Sequence, residues 1–199
     1  MAKKYYDGAI AAGKDGLSCI VRKENNPPPV ASWGTADDTL VRQGGHGICK
    51  GLATAWVIAL LSGQKEAHEK GSFRKYFTEV LKFQGTYIKD FGQHMDGHVK
   101  QLKKMSADPG VRLLKKVTPK TLEMSDVPSG NWGAYVSVWK HDVAFGSYNN
   151  KYYVMDPNCG LIGFSNKWKF VAGAQSLVEG RRTRKNKGPD DTIGIWFYA

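Results

Sequence analysis

The sequence predicts an α+β domain, and three observations carry that prediction. A glycine-rich approach, Gln43 to Gly47, leads to Cys49, and the run Gly51 to Leu61 behind it is apolar almost all round. A helix with no polar face belongs inside a domain, not on its surface. From Gly133 onward the period shortens. Ala134–Trp139, His141–Phe145, Tyr152–Met155, Leu161–Phe164 and Ile193–Tyr198 are rich in β-branched and aromatic residues and are separated by short turns. Such runs read as an antiparallel meander. Helix patterns first and strand patterns second give the α+β order.

Taken in order, residues 1–42 read as a polar, irregular arm. It has one short strand candidate, Ser18–Arg22, and a proline block at Pro27, Pro28 and Pro29. Residues 43–199 form the folded domain, helical over 43–106 and mainly antiparallel sheet over 107–199. After the first helix, Phe73, Phe77, Val80, Leu81, Ile88, Phe91, Met95, Leu102 and Met105 recur at three- and four-residue steps. That spacing predicts a second helical region over 72–105. Gly85, Gly92 and Gly97 would bend or break it into pieces.

Composition narrows the function classes. At 199 residues, 41% hydrophobic and 24% charged, the chain suits one domain with a real core. No apolar run reaches the length of a membrane span. The lysines at the N-terminus have no sustained apolar stretch behind them, so no cleaved signal peptide is expected. Cys19, Cys49 and Cys159 are odd in number and widely spaced, which suggests neither a disulfide framework nor a zinc site, and fits synthesis in a reducing cytoplasm. His94 and His98 stand one turn apart, but no third ligand completes a metal site. No metal and no cofactor are expected.

The net charge of +11 gathers in two clusters. Lys100, Lys103, Lys104, Arg112, Lys115, Lys116 and Lys120 form one. Arg181, Arg182, Arg184, Lys185 and Lys187 form the other, in a polar stretch bounded by Gly and Pro that reads as a loop. Such a loop is most often a solvated surface, but it could meet an anionic membrane or an acidic protein. Neither cluster interleaves with aromatics, so no specific nucleic acid is expected.

The chemistry centres on Cys49. A cysteine opening an apolar helix is usually a small core residue. At a helix N-terminus, however, unsatisfied N–H groups and the macrodipole favour an anion, and the thiolate is the reactive form. Gly44, Gly45 and Gly47 leave room for a substrate backbone. Gln43 can supply an amide donor nearby. The base comes from the hairpin. If Asn149 and Asn150 are its two turn residues, Asp156 falls opposite Val143 and His141 becomes its diagonal neighbour, roughly 7–8 Å away between Cα atoms. A histidine backed by a carboxylate is the base-and-orienter half of a nucleophilic triad, with the carboxylate accepting from Nδ1–H and the other nitrogen facing the thiol.

These residues resemble a known family. GICKGLATAW, WKHDVAF and YYVMDPNCGLIGF, together spanning Gln43 to Phe164, are similar to the YopT/AvrPphB-type cysteine proteases. The resemblance implies a papain-like fold, with a helical lobe carrying the Cys packed on an antiparallel sheet carrying the His and Asp. It implies Cys49 as nucleophile, His141 as general base, Asp156 as orienter and Gln43 as oxyanion-hole donor. It also implies a bacterial effector acting on a protein substrate. Such an effector would be made in the bacterial cytoplasm and carried into a target cell by a specialised system, with an immunity or chaperone protein as a further partner. Some relatives cut their own N-terminal arm, and Gly13-Lys14-Asp15-Gly16 resembles such a site. Two alternatives stay open: a papain-fold deamidase or acyltransferase acting on a protein glutamine with the same triad, and a basic nucleic-acid or membrane-binding module without catalysis.

Overall fold

The computed structural model describes residues 42–43, 46–47, 49–68, 111–157 and 160–199. The strand expected at Ser18–Arg22, the Gly13–Gly16 site, the helical region over 72–105 with His94 and His98, the cations Lys100, Lys103 and Lys104, and Cys19 and Cys159 lie outside the described residues.

The chain enters through a two-stranded antiparallel hairpin, β1 (Arg42–Gln43) and β2 (His46–Gly47), with Gln43 opposite His46. Helix α1 follows at once, Cys49–Leu61, and ten of its thirteen residues are buried. That is the environment expected of a helix with no polar face. Strands β3 (Leu113–Val117), β4 (Trp132–Ser137), β5 (Asp142–Tyr148), β6 (Lys151–Asp156) and β7 (Gly160–Phe164) come next. Helix α2 (Lys167–Arg184) and strand β8 (Gly194–Tyr198) complete the domain.

The six-stranded sheet has the order β3-β8-β4-β5-β6-β7, with every pairing antiparallel. The expected meander is therefore present from β4 to β7 only. The last strand does not extend it past β7; it returns across the sheet and inserts between β3 and β4.

Side chains alternate across this sheet, as the pleat requires. Ala134, Val136, Phe145, Val154, Ile162, Ile195 and Phe197 share one core with Phe170, Val171, Ala174, Leu177 and Val178 of α2. Tyr135, Ala144, Tyr153, Met155, Leu161, Trp196 and Tyr198 share the other with Leu52, Trp56, Val57 and Leu60 of α1. Among the described residues, one helix covers each face. The second half of the chain is thus not sheet alone: α2 lies where a loop was expected around Arg181 and Arg182. Its signals are in the sequence, an apolar stripe at Phe170, Ala174, Leu177 and Val178, and an N-cap, Asn166, whose side chain accepts from the Lys169 N–H.

Two glycines fix the height of α1 over the sheet. Gly133 and Gly146 are direct cross-strand partners. A Cβ on Gly146 would come within 2.2 Å of Leu60 Cδ2 and 2.8 Å of Trp56, and one on Gly133 within 2.9 Å of Val57. The helix seats where the sheet has no side chains. Trp56 completes the seat, fully buried, with its indole N–H donating to the Ala67 carbonyl at 2.9 Å. The N-terminus of α1 is thereby held against the start of β5.

Candidate active site

Two hairpin turns build the histidine side of the site. The β5–β6 turn is Asn149-Asn150, at φ 49° and 61°. The register, from Ala144 opposite Met155 to Tyr148 opposite Lys151, is the one a two-residue turn demands. The β4–β5 turn is Trp139-Lys140, at φ 50° and 64°, closed by the Val138 N–H donating to the His141 carbonyl at 2.8 Å. His141 therefore stands at the exit of this turn, one residue before β5, and not within the strand.

His141 and Asp156 meet. Nε2 of His141 lies 2.8 Å from Asp156 Oδ1, with the histidine 6% exposed and the aspartate fully buried. The sequence argument expected Nδ1 to face the carboxylate. The hydrogen bond uses Nε2, which leaves Nδ1 as the ring nitrogen for the sulfur. Burial works against charge on His141. The Asp156 carboxylate, its hydrogen bond, and the hydrogen bond and charge of Cys49 outweigh that cost and raise the pKa to about 10. The ring is an imidazolium at neutral pH. Cys49, half-buried, opens α1 beside it. Gln43 sits in β1, in the hairpin that delivers the chain to Cys49.

Four further residues shape the site and were not singled out by sequence reasoning for it. Asp142, directly after His141, places Oδ2 3.8 Å from Cys49 Sγ. Lys50, directly after Cys49, is only 7% exposed and lies over the Tyr135 ring at 5.7 Å. It is the lone charged residue in Cys49–Leu61, a signal visible in the sequence. Arg181 and Arg182 clamp the Trp139-Lys140 turn. Arg181 donates to the Trp139 carbonyl at 3.4 Å, and the Arg182 guanidinium stacks over the Trp139 ring at 4.9 Å. Arg182 also donates to the carbonyls of Gly188 (2.5 Å), Asp191 (2.9 Å) and Lys120. Both arginines are buried, so two of the five cations that could meet a membrane or acidic partner serve the fold instead. Arg184, Lys185 and Lys187 remain exposed.

No protein-family profile and no curated protein matches the sequence. Among solved structures, the Pseudomonas avirulence protein AvrPphB superposes with a TM-score of 0.52 at 15% identity, over 76% of this chain and 91% of AvrPphB. The chain has the AvrPphB fold. The resemblance carried by GICKGLATAW, WKHDVAF and the DPN-G turn is thus met at the level of architecture. PatoxP, a cysteine protease-like domain of the Photorhabdus asymbiotica toxin PaTox, gives a TM-score of 0.47 at 15% identity, over 98% of this chain and 57% of that domain's chain. Among the described residues no cluster of three or more His, Cys, Asp or Glu could hold a metal ion.

Proposed function

We propose that the chain is a thiol protease of the papain-like type, acting on a protein substrate as a bacterial effector or toxin. The observation that carries this reading is the buried His141–Asp156 pair, 2.8 Å apart, beside a cysteine at the head of a buried helix. The Cys49 sulfur attacks the amide carbonyl carbon, and His141 gives its proton to the leaving amine. The thioester that results is then hydrolysed by a water that His141 deprotonates. Asp156 holds the imidazole in place and offsets its charge. The Gln43 amide donates to the oxyanion of each tetrahedral intermediate. The likeness of fold to an avirulence protein supports delivery into another cell.

The test is cleavage itself. Proteome-derived peptides and native lysate proteins are incubated with the full chain or with Cys49→Ala, and new N-termini are sequenced by mass spectrometry. New termini that require Cys49 are the expected result. Glutamine residues converted to glutamate, with no new termini, would replace the protease with a deamidase. Identical products from both proteins would end the catalytic reading.

A further inference from the structure

The triad leaves two charged groups at the nucleophile without a task. Asp142 begins β5, half-buried, with Oδ2 3.8 Å from Cys49 Sγ. A carboxylate at that distance opposes negative charge on sulfur. Lys50 lies in the first turn of α1 and is 7% exposed. Burial lowers its pKa, and the charges of Asp142 and Cys49 act in the opposite direction, which places its ammonium in the field of both. A charge taken out of water is tolerated only where other groups compensate it. The tetrahedral chemistry at Cys49 needs neither group as acid or base, because His141 supplies both functions.

We propose that Asp142 and Lys50 are opposed positioning charges that set the pH at which Cys49 becomes reactive: Asp142 holds that pH up, and Lys50 brings it down. This rests on Cys49 being the nucleophile. Among the described residues, four charged groups act on the sulfur. His141, at the exit of the β4–β5 turn, and Lys50, on α1, favour the thiolate. Asp142, on β5, opposes it at short range, and Asp156, on β6, opposes it from behind the imidazole. The N–H groups at the start of α1 add a fixed dipole on the favourable side. Asp142 offsets part of the burial cost of Lys50, while the two charges pull the sulfur opposite ways. A pair of this kind lets the acid limb of activity be set without altering the His141–Asp156 hydrogen bond.

The experiment is the pH dependence of iodoacetamide alkylation of the full chain, read on the tryptic peptide that contains Cys49. Asp142→Asn, nearly isosteric, should move the midpoint down by about one pH unit, the order of shift a neighbouring charge imposes. Lys50→Met should move it up by a similar amount. The double variant should return close to the wild-type midpoint. A role in folding alone would move stability and leave both midpoints in place. An unchanged midpoint in Asp142→Asn, or shifts of the same sign in the two variants, overturns the proposal. Should Lys50→Met fail to fold, Asp142→Asn decides alone, with its fold checked by circular dichroism. Midpoints that move while no peptide bond is cleaved would sink the protease reading and keep the charge pair. Cleavage through Cys49 with midpoints that stay put would do the reverse.

Discussion

The two hairpin turns have the same backbone and opposite chemistry. Asn149-Asn150 and Trp139-Lys140 each place two consecutive residues at φ between 49° and 64°. Asparagine adopts that conformation at little cost, and the Asn149 N–H is received by the Asn131 side chain at 3.0 Å. Tryptophan and lysine pay for the same geometry in strain, on the order of 1–3 kcal/mol each. The first turn is made of residues that accept this φ at little cost, with the Asn131 side chain tied to its backbone. The second is held from outside, by Arg182 stacked on Trp139 and Arg181 on its carbonyl. The strained turn is also the one that delivers His141 to Asp156. Strain in the second turn is fixed by contacts from α2, whereas the residues of the first accept the same backbone at little cost.

The comparison can be broken at several points, beginning with the residue the strained turn delivers. His141 has its pKa raised from 6.5 to about 10. The folded state therefore keeps a proton that the unfolded chain releases above pH 6.5. The stabilisation is complete below pH 6.5 and lost as pH rises through about 10. Urea denaturation across that window should lose stability on the order of a few kcal/mol in the wild type relative to His141→Gln. Parallel curves for the two proteins would mean that the pair is not ionic. Next in size is Arg182→Ala, which takes a donor away from three carbonyls and uncovers Trp139. It should cost about 2–4 kcal/mol and lower turnover with it. Arg182→Lys should rescue little of this, because the planar fork, not the charge alone, spans the three carbonyls. The smallest effects separate the turns themselves. Asn150→Ala should destabilise by about 1 kcal/mol and leave turnover intact, whereas Lys140→Gly should stabilise by about 1 kcal/mol or less by relieving left-handed strain. Melting curves that order these two variants the other way would remove the contrast between the turns.

The same contrast explains what the sequence made legible. Helix α1 could be read because eleven consecutive residues carry its burial in their own composition. The β5–β6 register could be read because Asn-Asn announces a two-residue turn, and the His141–Asp156 pairing followed from it. The β4–β5 turn could not, since nothing in Trp-Lys favours positive φ and the contacts that impose it come from residues 42 positions away. Arg181 and Arg182 read as part of a solvated basic loop because arginine is rarely buried, and only the tertiary fold supplies the carbonyls and ring that repay its desolvation. The place of β8 was likewise beyond reach. Strand pattern fixes which residues alternate across a sheet, not which neighbour a returning strand selects. The papain-like resemblance was reachable only through Cys49, His141 and Asp156 taken together. The flanking charges Lys50 and Asp142 stood beside two of these in the sequence without any spacing that sets them apart.

The most direct test of the active-site assignment compares two histidines. His46, in β2, stands three residues before Cys49 in the sequence, and His141 comes from the far end of the hairpin. Alkylation of Cys49 at about pH 6 reports whether a nearby imidazolium keeps the sulfur reactive where an ordinary thiol is inert. The triad predicts that His141→Ala slows this reaction by about tenfold or more, while His46→Ala leaves it within about twofold of wild type. A slow His46→Ala with an unaffected His141→Ala would contradict the assignment.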